Sequence, residues 1–162
     1  VLFIFVKEGF SSEEVNTVLN KCSGVLGITG RYTDRRDIAR VAKEGDRLCN
    51  LSMDIESYRL KKLIGEYYAV LGGLDAVIFT AGVGENSSIA RKMVCEGLEH
   101  FGINIDNDKN EAAHSEADIS KDDSPVKIFL IPTNEELVII EDVKAILECS
   151  YNNPDFKYSF EV

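Results

Sequence analysis

The sequence is short of several features that would place it in a specialised class of protein. It has no tryptophan, only 3 prolines and only 2 histidines among 162 residues. No run of eighteen apolar residues occurs, so no membrane-spanning helix is predicted. The 4 cysteines form no CxxC pair, which argues against a metal knuckle or a redox dithiol. They are expected to be reduced thiols, and the cytosol is the expected compartment.

Positive charge is also scarce. The chain has 28 acidic and 18 basic residues, which gives a formal net charge of −10. Such a surface repels nucleic acid and anionic membranes, so neither is expected as a partner. An acidic protein can still bind ATP, because local backbone amides and magnesium hold the phosphates. With 44% hydrophobic residues, the chain has the composition of one ordinary globular domain.

The first six residues are apolar and lack both an initiator methionine and a basic leader. Lys7 and Glu8 end this run too early for a signal peptide. The simpler interpretation is that the chain starts inside a larger protein, within a core element.

Helical periodicity recurs along the chain, and a further helical pattern begins at Asp34-Arg35-Arg36-Asp37. The other predicted helices cover residues 11–21, 53–71, 87–101 and 134–148. Gly24, Gly27 and Gly30 instead predict a stretch rich in turns. In the helix at 53–71 six apolar residues share one face: Leu60, Leu63, Ile64, Tyr67, Tyr68 and Leu71.

Strands are predicted at 76–79, 103–105 and 126–131, and helices follow them. This order indicates an α/β fold around a mixed or largely parallel sheet, in which ligands bind beyond the carboxyl ends of strands. Residues 106–124 are polar and acidic and predict a surface excursion. Residues 1–148 form the predicted domain, and disorder is one expectation for the tail at 149–162.

The turn after the first of these strands, residues 81–87 (AGVGENS), is one candidate ligand site. Gly82 and Gly84 have no Cβ, so a ligand can approach the backbone closely. Asn86 or Ser87 can cap the following helix, whose free amides favour phosphate or another anion. The alternative is a tight turn that needs two glycines. No Gly-Lys-Ser/Thr follows, so this is not a Walker loop.

A second candidate follows the strand at 126–131. Thr133 and Glu136 have the spacing of a capping box, which leaves Glu135 without a structural role. A carboxylate at this position can reach a magnesium ion or its waters. The alternative is that Glu135 only favours the helix dipole.

A third candidate is the segment at 34–37. Asp34 can accept hydrogen bonds from a ribose, and Arg35 or Arg36 can stack on adenine or pair with phosphate. The alternative is a capped helix start followed by surface charges.

Taken together and in this order, the segments resemble acetate kinases. Residues 74–87 (LDAVIFTAGVGENS) resemble the adenosine-motif strand and loop of that family, and 101–106 (FGINID) the segment after it. Residues 131–137 (IPTNEEL) resemble its last motif. Upstream, 20–30 (NKCSGVLGITG) and the Asp34-x-Arg36-Asp37 pattern resemble its approach to the nucleotide.

The resemblance implies part of the C-terminal domain of the ribonuclease-H-like, actin-like ATPase fold shared by acetate and sugar kinases, Hsc70 and actin. It implies reversible phosphoryl transfer between ATP and acetate, giving acetyl phosphate and ADP, with Mg²⁺. It also implies a homodimer, in which the helix at 53–71 faces the partner subunit. The nucleotide contacts it implies are Asp34, Arg35, Arg36, Gly82, Val83, Gly84, Glu85 and Asn86, and Glu135 would serve the magnesium.

Some features depart from the family pattern: Arg31-Tyr32 is unusual in the loop before Asp34, the tail after about 149 matches no part of it, and two further departures bear on the site. Arg35 stands where a hydrophobic or aromatic residue is more familiar, and the family's catalytic residues precede the matching segment. No catalytic residue is therefore assigned here, and most of the site for acetate or acetyl phosphate is expected to lie outside these residues. We expect this piece alone to lack kinase activity. A propionate or butyrate kinase stays open, as does a stand-alone, non-catalytic nucleotide-binding or dimerisation module.

Overall fold

A computed structural model describes residues 2–153 and 156–160 of the chain. Helices predominate, and most of them are short. The helices are α1 (Leu2–Lys7), α2 (Ser12–Lys21), α3 (Gly24–Thr29), α4 (Arg35–Lys43), α5 (Arg47–Leu71), α6 (Ala81–Asn86), α7 (Ser88–Cys95), α8 (Asn107–Ala112) and α9 (Glu135–Leu147). The strands are β1 (Ala76–Phe79), β2 (Ala117–Asp118) and β3 (Lys127–Leu130), and a 3₁₀ turn covers Glu99–Phe101.

The three strands form one mixed sheet, as predicted, in the order β1-β3-β2. β1 runs parallel to β3, with Ala76 opposite Lys127 and Phe79 opposite Leu130. β2 runs antiparallel to β3. The strand predicted at 103–105 is reduced to two isolated bridges. Because β1 and β3 are parallel, the segments that follow them leave the sheet at the same edge.

Two apolar clusters hold the fold together. One lies where the sheet meets α7 and the segments that follow it: Cys95, Leu98, Ile103, Ile119, Val126 and Ile128. The other lies between α4 and α5: Ile38, Val41, Ala42 and Cys49. α5 connects the two, since Met53 packs on the second cluster and Ile64 on the first.

All four cysteines are free thiols, as the sequence analysis expected. Cys49 and Cys95 are buried in the two clusters, one in each. Burial raises the pKa of Cys95 to about 12, so this thiol stays protonated and behaves as a small apolar group.

Two predicted segments differ from the structure. The turn-rich stretch at 24–30 is the helix α3, which ends at Gly30 with a left-handed φ of 69°. Residues 106–124 contain α8 and β2 and bury Ile119 and Ser120 completely, so they are no surface excursion. Their polar side chains misled the prediction, because several of them hydrogen-bond within the chain instead of facing solvent.

Several element boundaries also differ. α5 begins at Arg47, directly after its N-cap Asp46, whose carboxylate accepts the Cys49 amide, and is longer than the predicted helix at 53–71. The helix predicted at 87–101 ends at Cys95 and gives way to the 3₁₀ turn. The capping box at Ser11 and Glu14, by contrast, opens α2 where the sequence placed that helix.

The described part of the chain begins with α1 and ends in a tail that contacts α9. α1 leaves Phe3 and Val6 mostly exposed, so these two side chains do not join the described apolar clusters. The core element expected here stays a prediction, and Val1 lies outside the described residues. In the tail, the Tyr158 hydroxyl donates to Asp142 and the Ser159 amide to Glu141, both on α9. Tail residues 154, 155, 161 and 162 lie outside the described residues. The domain boundary at 148 stays a prediction.

Within the described ranges, no helix has both the length and the apolar character needed to cross a membrane.

Candidate functional site

The segments that follow β1 and β3 are joined by a pair of hydrogen bonds. The Thr133 amide donates to Glu85 Oε1 over 2.8 Å, and the Thr133 hydroxyl donates to the same oxygen over 2.9 Å. Two candidate ligand segments that lie 48 residues apart along the chain are therefore in direct contact at one edge of the sheet.

This contact changes the acidity of Glu85. The Thr133 amide, and after it the Thr133 hydroxyl, lower the pKa of Glu85 because both donate to its ionised form. A carboxylate with a lowered folded pKa stabilises the fold above its ordinary pKa of about 4.3. That contribution is lost as the pH falls through the lower folded value.

The capping box predicted at Thr133 and Glu136 is wrong. Asn134 is the N-cap of α9, and its side-chain oxygen accepts the Leu137 amide over 3.1 Å. The Thr133 amide, which a capping box would pair with Glu136, donates to Glu85 instead, and the Thr133 hydroxyl donates to the same carboxylate. The helix therefore starts one residue later than the spacing suggested.

The predicted glycine turn is a short helix, α6, and its two glycines differ. A Cβ on Gly82 would meet no atom within 4 Å, so the backbone there is open to a ligand. A Cβ on Gly84 would lie 3.3 Å from the carbonyl carbon of Phe79, so this glycine lets the helix pack against β1. Ala81 has a φ of 58°, a costly left-handed conformation at the junction of β1 and α6.

One cleft brings the first and third candidate segments together. It has a volume of about 720 Å³, within the range of small-molecule sites. α4, α5, α6 and α7 contribute its walls. Its lining residues are Asp34, Arg35, Arg36, Ala39, Met53, Glu56, Ser57, Gly82, Val83, Asn86, Ser87, Ala90 and Met93.

Apolar and polar groups share this cleft. Ala39, Met53 and Met93 offer the apolar surface that a planar base needs. Arg35 forms an ion pair with Glu56, with about a third of each side chain exposed. Partial burial lowers the pKa of Arg35. The guanidinium nevertheless remains ionised, because the pKa of an arginine lies far above neutral pH. The ion pair occupies the place where the resemblance led us to expect an apolar contact.

Asp34 and Arg36 form a second ion pair at the mouth of the cleft. Arg36 Nη2 lies 2.6 Å from Asp34 Oδ2, and the Arg36 amide donates to Asp34 Oδ1. These contacts, led by the Arg36 side chain, lower the pKa of Asp34 to about 2. Asp34 is thus the N-cap of α4, which was the structural alternative to a ribose contact. Its part in binding a ribose stays a prediction.

Three of the predicted site residues do not line the cleft. Gly84 packs on Phe79, Glu85 binds Thr133, and Glu135 is the exposed first residue of α9. Among residues 2–153 and 156–160, no three His, Cys, Asp or Glu side chains are grouped to hold a metal. Glu135 is the carboxylate that the resemblance assigns to Mg²⁺, and that role stays a prediction. A single carboxylate would fit an ion held mainly by substrate phosphates and waters.

Sequence reasoning missed Arg91, which is 1% exposed. Its guanidinium donates to the carbonyl oxygens of Gly84 and Glu85, over 2.8 and 2.9 Å. A signal was present, because Arg91 precedes Val94, Cys95 and Leu98 by three, four and seven residues, the spacing of one buried helix face. A charge at that position contradicts the apolar pattern and indicates a buried polar contact.

Comparison with known proteins supplies the family. The profile described as the acetokinase family matches residues 1–141. The chain belongs to the acetokinase family. An acetate kinase of Trichlorobacter lovleyi is 55% identical over 162 residues, which cover 98% of this chain and 38% of the relative. The chain therefore spans little more than a third of the length of this relative.

Solved structures agree with this assignment. A crystal structure of an acetate kinase from Porphyromonas gingivalis superimposes with a TM-score of 0.81 and 39% identity, over 90% of this chain and 37% of that one. A propionate kinase from Francisella tularensis gives 0.76 and 39%, over 85% and 35%. The predicted actin-like ATPase fold is thereby confirmed, and this acetokinase segment forms a partial domain of it.

The contact between Glu85 and Thr133 can be tested by titration. We expect Thr133→Val, which removes one of two donors, to raise the pKa of Glu85 and to leave it below the ordinary value. Side-chain carbon NMR across the acid range measures both. Glu14, whose pKa is lowered by Ser11 on α2, serves as the internal control and should not move. An unchanged Glu85 pKa in Thr133→Val would contradict the contact.

Proposed function

We propose that this chain is a segment of an acetate kinase and provides the adenosine side of its ATP site together with one magnesium contact. In the reaction, a phosphoryl group passes reversibly between ATP and acetate. The observation that carries the proposal is the contact of Glu85 with Thr133, because it brings the loop beside the nucleotide cleft next to the segment that bears Glu135.

Each part of the cleft has a proposed task. Ala39, Met53 and Met93 supply apolar surface for the adenine ring. Gly82 leaves room for the nucleotide to approach α6, and Val83 and Asn86 flank that opening. Arg36 already donates two hydrogen bonds to the Asp34 carboxylate. The ribose and phosphates therefore meet an ion pair whose side chains need to move little on binding.

Gly84 and Glu85 act differently from the other residues of that loop. Gly84 allows α6 to pack on β1, and Glu85 fixes the loop to Thr133. Both therefore support the nucleotide site without lining it.

Glu135 is the proposed contact to Mg²⁺ or to its water ligands. Thr133, two residues before it, hydrogen-bonds to the loop beside the nucleotide cleft. Among the described residues, the Glu135 carboxylate has no hydrogen bond or ion pair that would compete with a cation. A magnesium ion bound with ATP neutralises charge on the phosphates during transfer.

Two aspects concern the complete protein. Propionate is a second candidate acid, since a propionate kinase superimposes nearly as well as an acetate kinase.

A homodimer joined through α5 accounts for the exposure of its apolar residues, with Leu63 at 47%, Tyr67 at 63% and Leu71 at 67%. Ile64 and Tyr68 of the same predicted stripe instead pack inward, and Tyr68 contacts the ring of Phe101.

The magnesium contact predicts a specific loss in nucleotide binding. We expect Glu135→Gln to weaken the Mg²⁺-dependent part of ATP binding by about tenfold and to leave binding without Mg²⁺ unchanged. Isothermal titration of the chain with ATP, with and without Mg²⁺, measures both. Glu136→Gln is the matched control, with the same charge change one residue along α9. Equal effects of the two substitutions would refute the role of Glu135.

Because the proposal places the catalytic residues in the preceding part of the protein, it predicts that the chain by itself is inactive. The 162-residue chain alone should produce no acetyl phosphate in a coupled assay. Joined to the preceding portion of the Trichlorobacter lovleyi acetate kinase, it should restore ATP-dependent turnover with acetate, and assays with propionate and butyrate would rank the acids. That preceding portion alone is the control. Turnover by the isolated chain would contradict this division, and an inactive, folded fusion would contradict the proposed function.

A further inference from the structure

Arg91 is a cation buried in the interior, and no carboxylate among the described residues pairs with it. It is 1% exposed, and within the described part of the chain it takes part in no salt bridge. Burying a charge costs free energy unless hydrogen bonds replace its lost water. Arg91 has such bonds, and their acceptors indicate what the residue does.

The guanidinium makes four hydrogen bonds, in two directions. Nη1 donates to the carbonyl oxygens of Gly84 and Glu85, over 2.8 and 2.9 Å. Nε and Nη2 donate to Asn110, to its side-chain oxygen over 2.7 Å and to its backbone oxygen over 2.9 Å. One buried group thereby links α6 to α8.

The two carbonyls belong to the last turn of α6, where a helix has no partners of its own for them. A positive charge there is also favoured by the helix dipole. Asn110 is itself 1% exposed, and its amide nitrogen donates to the Ser88 carbonyl over 2.9 Å. Asn110 therefore fixes Arg91 on one side and the start of α7 on the other.

We propose that Arg91, held by Asn110, is a positioning residue that fixes α6 in the conformation required for nucleotide binding. Arg91 does not line the cleft, so it acts through the backbone of residues 84 and 85. Those two residues directly follow Gly82 and Val83, which do line it. The inference rests on the proposed function, because it takes the ligand of that cleft to be ATP.

No other common side chain can replace Arg91 at this site. Lysine keeps the charge, but its donors lie on a single nitrogen and cannot reach both α6 and Asn110 in the same geometry. Arg91→Lys is therefore the informative substitution. Asn110→Ala removes the side-chain acceptor of Arg91 Nε and the bond to the Ser88 carbonyl. It leaves the bond from Nη2 to the backbone oxygen of residue 110 and the two bonds to α6 possible. Lys92→Met removes an exposed cation from the next position of α7 and is the matched control.

The test measures ATP binding and local order on the same variants. We expect Arg91→Lys to raise the ATP dissociation constant about tenfold and Asn110→Ala about threefold, since small misplacements of binding groups are costly. The Ser87 amide donates to the Val83 carbonyl oxygen at the end of α6 over 3.1 Å. Its hydrogen exchange, measured without ATP, should be faster in both variants than in the wild type. Lys92→Met should leave both quantities unchanged.

All measurements are made at a temperature well below the unfolding midpoint of each variant, so that nearly all of the protein is folded. A loss of stability alone would then not alter the ATP dissociation constant. If Arg91→Lys does not fold, Asn110→Ala decides the outcome. Wild-type affinity for ATP in a folded variant would overturn the positioning role and leave the proposed function intact. Failure of the wild-type chain to bind ATP would refute the proposed function, and this inference with it.

Discussion

The hydrogen bonds from Thr133 to Glu85 are the contact on which the site depends. β1 and β3 run parallel, so their carboxyl ends share one edge of the sheet, but parallel pairing alone does not join the segments beyond it. One carboxylate oxygen does so, by accepting an amide and a hydroxyl from the other segment. The loop beside the cleft and the start of α9 are thereby held next to each other, as one nucleotide with its metal would require.

Further polar contacts hold the walls of the cleft. Arg91 and Asn110 fix the end of α6 from within, while the Arg35–Glu56 pair connects α4 to α5 across the cleft. The Asp34–Arg36 pair keeps the start of α4 in place. Apolar clusters supply the stability of the fold, and these polar groups determine where its short helices point. Such preorganisation lowers the cost of binding, because few groups must move.

Much of this could be predicted from residue patterns. Alternating strands and helices gave the mixed sheet, and the motifs gave the family that the comparisons established. Other features depend on contacts between distant residues. Thr133 has the spacing of a helix cap, yet Glu85, 48 residues away, binds it and leaves the cap to Asn134. Polar residues near 110 look like a surface loop until Arg91 is seen beside them. Local sequence carries no record of such partners.

The most direct test of a single shared nucleotide site uses paramagnetic Mn²⁺ in place of Mg²⁺. With Mn²⁺ and ADP bound to the chain, we predict that amide NMR signals of residues 82–86 and of 134–136 broaden together, while those of α2, which does not line the cleft, stay sharp. The matched sample with Mg²⁺ and ADP corrects for binding alone. Broadening of one segment without the other would contradict the account, because the two would then not serve the same nucleotide and metal.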